Sequence, residues 1–243
     1  MGFSFRTDVA GRSIGVQQTF PDILLSLETD VLAREHSRAM LRPQFARDQI
    51  SDLELEETHV QNLLKHLPTD ATGWTPEIDL QPLFFRLTLD SATEFLFGQS
   101  VDSQLAALPD LPTLPVRRDA KGNLLDWSTL ADDWDYCTNV IGLRARLVDR
   151  YYLYSPSSFR QSCRRLKEFA DYYVNLALAN TNTASWREKD ELHHHGKEKY
   201  IFLQELASKT RDPVELRSQA LNILLAGRDT TAGLLGKGST DTA

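Results

Sequence analysis

The residues best suited to chemistry are a glycine, a carboxylate and a hydroxyl that stand close together near the end of the chain. Gly227, Asp229 and Thr230 follow a run of strong helix formers. Glycine and β-branched threonine both weaken a helix interior, glycine by roughly 1 kcal/mol relative to alanine. Their presence indicates that this segment serves something other than helix stability.

Helical spacing places a notch without a side chain beside a hydroxyl. Ile223, Gly227, Thr230 and Leu234 are separated by steps of three and four residues, so they share one face of a helix. A small ligand can lie against the bare backbone at Gly227. The Thr230 hydroxyl can bond to an earlier backbone carbonyl and open the helix locally, while Asp229 supplies a titratable group. These residues predict a path for protons to a bound species, and the alternative is a buried helix in which glycine allows close packing.

Cysteine and histidine side chains offer weaker candidates. Cys137 and Cys163 are too few for a disulfide framework and lack the spacing of a zinc site, which favours a reducing compartment. Both fall on apolar helical stripes, where a free cysteine normally packs as a small hydrophobic side chain rather than as a metal ligand. His193, His194 and His195 lie in a polar stretch that predicts an exposed connector, with incidental metal binding as the alternative.

The reactive segment must be positioned by other helices, because apolar residues recur at helical spacing from about Ser51 onward. Caps, glycines and prolines predict helices over residues 51–67, 81–97, 130–148 and 155–177, with a last helix beginning at 212. Asp212, Pro213 and Glu215 mark that last start as an N-cap, a first-turn proline and an acidic cap. Residues 105–125 and 180–199 predict connecting loops, the first with a turn at 119–122.

Composition excludes several classes of function. The chain is 41% hydrophobic and 25% charged, which is typical of a soluble globular protein. Its net charge of −7 argues against nucleic acid or an anionic membrane surface as the main partner. No stretch approaches the roughly 20 apolar residues of a spanning helix, and residues 1–15 lack the apolar core of a signal peptide. We therefore expect no membrane anchor in this chain.

The segment 226–231 reads Ala-Gly-Arg-Asp-Thr-Thr. It matches, at every position, the motif (Ala/Gly)-Gly-x-(Asp/Glu)-Thr-(Thr/Ser) in the long helix of the cytochrome P450 family, and the chain resembles those haem-thiolate monooxygenases. In that family the glycine makes the oxygen-binding groove, and the acid and alcohol deliver protons during oxygen activation. The resemblance implies catalytic roles for Asp229 and Thr230 and cofactor contacts for Ala226 and Gly227. It also implies a substrate pocket lined by Ile223, Thr231 and Leu234.

A second similarity lies near the start of the chain. Residues 36–45 look like the family's helix in which a Trp-x-x-x-Arg pair binds a haem propionate. Arg38 corresponds to that arginine, which can form a forked pair with a carboxylate, and His36 is implied as a second propionate contact. The tryptophan position is Arg34 here, so a second cation stands where the family has an indole donor.

The stretches 83–98, 132–177 and 199–235 look like the fungal branch of the family that hydroxylates alkanes and fatty acids. The resemblance implies a mainly α fold that comprises the family's N-terminal and central helices, with haem as the cofactor. It also implies an apolar small-molecule substrate, NADPH-cytochrome P450 reductase as the partner and the endoplasmic reticulum membrane as the location. The chain as given, without an anchor, is expected to be cytoplasmic.

The resemblance covers residues 29–235, which predicts one partial domain over 1–235 and a polar tail outside the family over 236–243. We expect the family's C-terminal half to be missing, including the Glu-x-x-Arg helix and the loop whose cysteine binds iron. No residue of this chain is therefore predicted to bind the metal, and the chain alone is expected to be inactive. The alternative is an all-helical remnant or binding protein without catalytic activity.

Overall fold

A computed structural model describes residues 38–45, 53–108, 117–118, 124–182 and 200–241. Helices dominate these ranges, which confirms the predicted mainly α fold. The helices are α1 (Leu53–Leu64), α2 (Gln81–Phe97), α3 (Ser103–Ala106), α4 (Leu130–Arg146), α5 (Ser157–Asn182), α6 (Phe202–Lys209) and α7 (Pro213–Asp241). A 3₁₀ turn, Arg42–Phe45, follows the helical residues 38–41. A second 3₁₀ turn, Val148–Leu153, follows α4. No helix in these ranges is long and apolar enough to cross a membrane.

Two helix ends carry the caps that the sequence predicts. Gly98 ends α2 with φ at 79°, and its N–H donates to the Glu94 carbonyl at 2.8 Å. A side chain at Gly98 would also meet Ile201, whose Cδ1 lies 2.7 Å from the position that a Cβ would take. At the start of α7, the Asp212 carboxylate accepts a hydrogen bond from the Val214 N–H at 2.9 Å.

Several elements differ from the sequence prediction, and one of them is α5, which runs to Asn182 and so passes the start of the loop predicted at 180. The fourth helix ends at Arg146, and the chain tightens into the 3₁₀ turn Val148–Leu153. The predicted loop at 105–125 contains a two-stranded antiparallel pair, β1 (Arg117–Arg118) and β2 (Leu124–Leu125), whose strands are too short to show alternation in sequence. Helix α7 continues to Asp241, past the start of the predicted polar tail.

The core lies where α2, α5 and α7 pack together. Phe97 of α2 stacks on Tyr173 of α5 with ring centroids 4.9 Å apart, and it meets Phe169 edge-on at 5.2 Å. α7 runs against both α2 and α5. Every fourth residue of α7 is buried in this contact, in a row that we call the buried row: Leu216, Ala220, Leu224, Arg228 and Ala232. Burial of this row fixes the rotation of α7 and hence the direction of each motif side chain.

A polar contact joins α4 to α5, and we call it the α4–α5 seam: Asp133, Cys137, Ser162, Cys163 and Arg165. Asp133 is buried; it accepts a hydrogen bond from the Ser162 hydroxyl at 2.7 Å and forms a two-pronged ion pair with Arg165. One turn along α4, the Cys137 sulfur lies 3.6 Å from that of Cys163. Charge and sulfur thus hold these helices together where most of the core uses apolar side chains.

Candidate functional site

An open cavity of about 530 Å³ lies between α2 and α7. Most of its wall is apolar, with hydroxyl groups from Thr88, Ser91 and Thr231 and one carboxylate from Glu56. The full lining consists of Phe45, Leu55, Glu56, Leu87, Thr88, Ser91, Ala92, Phe95, Leu96, Ile223, Gly227, Thr231 and Leu235. The cavity therefore has the character of a site for an apolar ligand with a small number of polar contacts.

The shape of the cavity follows from the spacing of residues on the two helices. α7 contributes one residue in every four, from Ile223 to Leu235, in a row beside the buried row. α2 contributes two such rows, beginning at Leu87 and Thr88. Rows of this spacing incline to the helix axis, so the groove runs obliquely between the helices. Gly227 interrupts the α7 row, and a Cβ added there would meet nothing within 4 Å, so the backbone faces open space.

The structure brings together most of the predicted pocket residues on α7. Ile223, Gly227 and Thr231 lie side by side in the wall of the cavity. Leu234 is 71% exposed and lies outside the lining, and Leu235 takes that place in the wall. The sequence prediction assumed a face that runs parallel to the helix axis. The row that lines the cavity is inclined to this axis, so at its C-terminal end it contains Leu235 instead of Leu234.

Thr230 is exposed, and neither it nor Asp229 belongs to the cavity lining. Its hydroxyl donates to the carbonyl of Ala226 at 2.5 Å, which is the bond to an earlier carbonyl that the sequence predicts. The helix nevertheless continues unbroken through this turn, so the expected local opening of the helix is wrong. The backbone bonds of α7 tolerate the additional acceptor interaction at Ala226.

Arg228 occupies a core position although it is charged. Its side chain is 1% exposed; it pairs with Asp135 of α4 and donates to Oδ1 of Asp229 at 2.9 Å. Its guanidinium carbon also lies 4.8 Å from the ring centroid of Phe85. Two carboxylates and an aromatic face offset the cost of burying this cation. The sequence motif treats this position as variable, and the signal that reveals its burial is the four-residue spacing from Leu216.

The environment of Asp229 raises the pKa of its carboxyl. Burial raises the pKa of this carboxyl, and the nearby charge of Asp135 raises it further. The charge and hydrogen bond of Arg228 oppose this effect without cancelling it, so the pKa lies above its ordinary value. Asp229 therefore holds a proton more readily than an exposed aspartate, next to the Thr230 hydroxyl in sequence.

The predicted propionate contacts fall only partly within the described ranges. Arg38 is exposed and lies in the described helical residues 38–41, which lead into the turn that carries Phe45 into the cavity wall. His36, Arg34 and the triple histidine at 193–195 lie outside the described residues.

Comparison with known proteins identifies the family. The chain is 47% identical over 205 residues to "Cytochrome P450 monooxygenase g430" of Fusarium sp, which covers 83% of this chain and 34% of that protein. It is 44% identical to "Cytochrome P450 52A12" of Debaryomyces hansenii, over 83% of this chain and 36% of the relative. The match to "Cytochrome P450 52A4" of Candida maltosa is 43% identical and covers 92% of this chain and 39% of the relative. No protein-family model matches the chain.

The chain belongs to the cytochrome P450 family, which confirms the resemblance seen in the motif at 226–231. It spans between 34% and 39% of the length of these relatives.

The family implies haem, and the cavity fits one face of such a planar group. The bare backbone at Gly227 and the apolar wall around it leave room for a flat ligand on the α7 side. Within the described ranges, no three histidine, cysteine or acidic side chains converge to hold a metal ion. Cys137 and Cys163 face each other in the α4–α5 seam and do not line the cavity. The residues that line the cavity could therefore contact such a group on the α7 side.

Proposed function

We propose that the protein, with haem bound, is a monooxygenase that uses O₂ and NADPH to hydroxylate an apolar small molecule such as a fatty acid or an alkane. The observation that carries the proposal is the cavity wall, in which Gly227 and Thr231 border an apolar space, with Asp229 and Thr230 between them in the sequence of α7. Family membership supports the same reaction class. When bound, haem supplies the binding of O₂ and the transfer of electrons to it.

The chain's own residues would bind and orient the reactants. Gly227 leaves backbone exposed, so that a planar cofactor and a small molecule can approach α7 closely. Ala226 precedes it on the same turn and would share this cofactor contact. Ile223, Leu235 and Phe95 present apolar surface to a hydrocarbon chain and exclude water from around it. Arg38, with His36, would neutralise the propionates.

Asp229 and Thr230 would move protons toward the cavity. Arg228 donates to Oδ1 of Asp229, which leaves Oδ2 to take up a proton, and the raised pKa of this carboxyl makes it a better proton carrier than an exposed aspartate. The Thr230 hydroxyl can accept one proton while it donates another. Rotation about its side-chain bond exchanges the Ala226 carbonyl for an acceptor in the cavity. The pair therefore forms a two-step path from a half-buried acid to the open face of Gly227.

We place the protein with the electron-transfer partner typical of its family, NADPH-cytochrome P450 reductase, at the endoplasmic reticulum membrane. Family membership supports this assignment. The net charge of −7 makes nucleic acid a poor partner.

The test uses the product of the complete coding sequence, isolated with haem and supplied with reductase, NADPH and O₂. Dodecanoic acid and dodecane serve as substrates, and hydroxylated product, consumed O₂ and released hydrogen peroxide are measured together. We expect hydroxylated product from at least one of them. In Thr230→Ala, peroxide release should rise as product falls, because protons then reach the cavity without the positioned hydroxyl. Absence of haem binding or of hydroxylated product would overturn the proposal.

Thr138 provides a matched control on α4. Its hydroxyl donates to the Trp134 carbonyl at 2.9 Å, with the same four-residue spacing as the bond from Thr230. Thr138→Ala therefore removes an equivalent bond away from the cavity, and coupling of O₂ consumption to product should stay at the wild-type level. Equal uncoupling in both variants would show that Thr230 acts through helix packing alone.

A further inference from the structure

The two cysteines of the chain are adjacent although 26 positions separate them. The Cys137 sulfur on α4 lies 3.6 Å from the Cys163 sulfur on α5, and both side chains are buried. A disulfide has an S–S length of about 2.05 Å, so the sulfurs must approach by roughly 1.5 Å, which is within the range of side-chain rotation. The proposed reaction at the cavity uses neither thiol.

The surroundings make the two thiols unequal. Cys137 is fully buried, whereas Cys163 is 9% exposed at the edge of the α4–α5 seam. The positive charge of Arg144 acts on Cys163, and the guanidinium carbon of Arg144 packs 5.4 Å from the ring centroid of Phe159, which lies one turn before Cys163 on α5. The acidic group that faces both sulfurs is Asp133, and Arg165 pairs with it. Solvent contact and a nearby cation therefore favour reaction at Cys163.

Electrostatics within the pair point the same way. The hydrogen bond between the two sulfurs, in which either can be the donor, lowers the pKa of the Cys163 thiol; burial opposes this effect, and the charge of Arg144 adds to it. The same hydrogen bond, with burial, raises the pKa of Cys137. Of the two thiols, Cys163 therefore gives up its proton more easily than Cys137.

We propose that Cys137 and Cys163 form a redox modification site in which hydrogen peroxide oxidises Cys163 and Cys137 then closes a disulfide across the α4–α5 seam. In the first step the Cys163 thiolate attacks peroxide, the O–O bond breaks, and sulfenic acid and hydroxide form. In the second step the Cys137 sulfur displaces hydroxide from the oxidised sulfur, with its proton leaving in water. The two sulfurs lose two electrons in total and peroxide gains them.

The experiment treats the reduced protein of the printed sequence with hydrogen peroxide and then unfolds it in a maleimide to count the remaining thiols. We expect both thiols to disappear together, without covalent dimers on a non-reducing gel. Peptide mapping should find Cys137 joined to Cys163, and dithiothreitol should restore both thiols. Retention of both thiols under conditions that oxidise glutathione, or cross-links only between chains, would overturn the proposal.

Single substitutions test the order of the two steps. Cys137→Ala should stop at a Cys163 sulfenic acid that dimedone traps, whereas in Cys163→Ala the Cys137 thiol should survive the same exposure. Oxidation of Cys137 in that variant at the wild-type rate would contradict the assigned order. Circular dichroism checks that each variant folds, and if one does not, the wild-type peptide map still decides whether the disulfide forms.

Arg144 tests the electrostatic part of the proposal. Arg144→Gln should slow the loss of thiols several-fold, and Arg144→Lys should restore most of the rate because it retains the charge. Arg160→Gln, on the exposed face of α5, serves as the control and should oxidise at the wild-type rate. If Arg144→Gln also oxidises at the wild-type rate, Arg144 does not activate Cys163. None of these measurements involves haem, so their outcome is independent of the proposed monooxygenase activity.

Discussion

The α4–α5 seam and the α2–α7 cavity are both contacts between helices, yet one is closed and the other is open. In the seam, Asp133 and Arg165 form an ion pair, and two sulfurs fill the next turn. At the cavity, α7 presents Gly227 and Thr231, which leave space between the helices. α7 combines both kinds of surface, because its buried row lies directly beside its cavity row. Stability and ligand binding can therefore be altered separately by neighbouring residues of one helix.

The largest expected effect is a difference in stability between substitutions in the buried row and in the cavity row of α7. Leu224 is fully buried, so Leu224→Ala should lower the free energy of unfolding by about 3 kcal/mol through lost contacts and a new internal void. Ile223 lies one residue earlier but faces the open cavity, so Ile223→Ala should cost about 1 kcal/mol or less. Urea unfolding of both variants measures the difference. Equal losses would show that the cavity wall is packed as tightly as the core.

An intermediate effect is expected in the seam. Burial raises the pKa of Asp133, but hydrogen bonds from Arg165 and Ser162 outweigh it and leave the pKa below its ordinary value of 3.8. Asp133→Asn should therefore destabilise the protein by about 2 kcal/mol at neutral pH. A carboxyl with a lowered folded pKa contributes its stability above the unfolded pKa and loses it as pH falls through the folded pKa. The difference between wild type and variant should accordingly shrink in acid.

Asp132 supplies the control for this measurement. Its side chain is 73% exposed and pairs with Arg86 at 3.4 Å, so Asp132→Asn should change stability by roughly 0.5 kcal/mol or less. If the α4–α5 seam is held together mainly by apolar contacts, Asp133→Asn and Asp132→Asn should give the same small change in the free energy of unfolding.

The smallest expected effect has the opposite sign. A Cβ at Gly227 meets nothing within 4 Å, so Gly227→Ala should stabilise the chain by about 0.5–1 kcal/mol, as alanine does in a helix interior. Gly142 of α4 has the same open surroundings, and Gly142→Ala should give a similar gain. In the haem-containing protein, only Gly227→Ala should reduce hydroxylation, because it places a methyl group in the proposed oxygen groove. If Gly227→Ala lowers the free energy of unfolding while Gly142→Ala raises it, the added methyl group at 227 must meet a steric clash, which contradicts the open space seen there.

Local patterns in the sequence predict much of this fold and part of the site. The cap at Asp212 and the glycine at 98 mark helix ends because each acts through its own backbone neighbourhood. Ile223 and Gly227 can be assigned to one region of α7 from helical spacing, whereas Thr231 is expected there from the family resemblance. Leu234 cannot be distinguished from Leu235 in this way, because the choice depends on how a second helix crosses the first.

Contacts between distant segments escape such patterns. Cys137 and Cys163 each fall on an apolar stripe, but only the register of α4 against α5 places their sulfurs 3.6 Å apart. The four-residue spacing from Leu216 places Arg228 in the buried row, but its partners Asp135 and Phe85 come from other helices and cannot be read from that spacing. Periodicity gives the face of a helix, whereas the partner of each side chain is set by tertiary packing.

The end of α2 has a consequence for how this sequence can vary. Gly98 has a positive φ, and a Cβ there would lie 2.7 Å from the Ile201 side chain, so a larger residue meets two separate obstacles. Shortening Ile201 to alanine removes the second obstacle and leaves the first, since the left-handed backbone still disfavours a branched or bulky side chain. Among single changes, position 98 should therefore accept almost nothing. With alanine at 201 it should admit asparagine or aspartate, which tolerate this backbone region. Positions 98 and 201 should therefore vary together, because the residues that position 98 can accept depend on the size of the side chain at position 201.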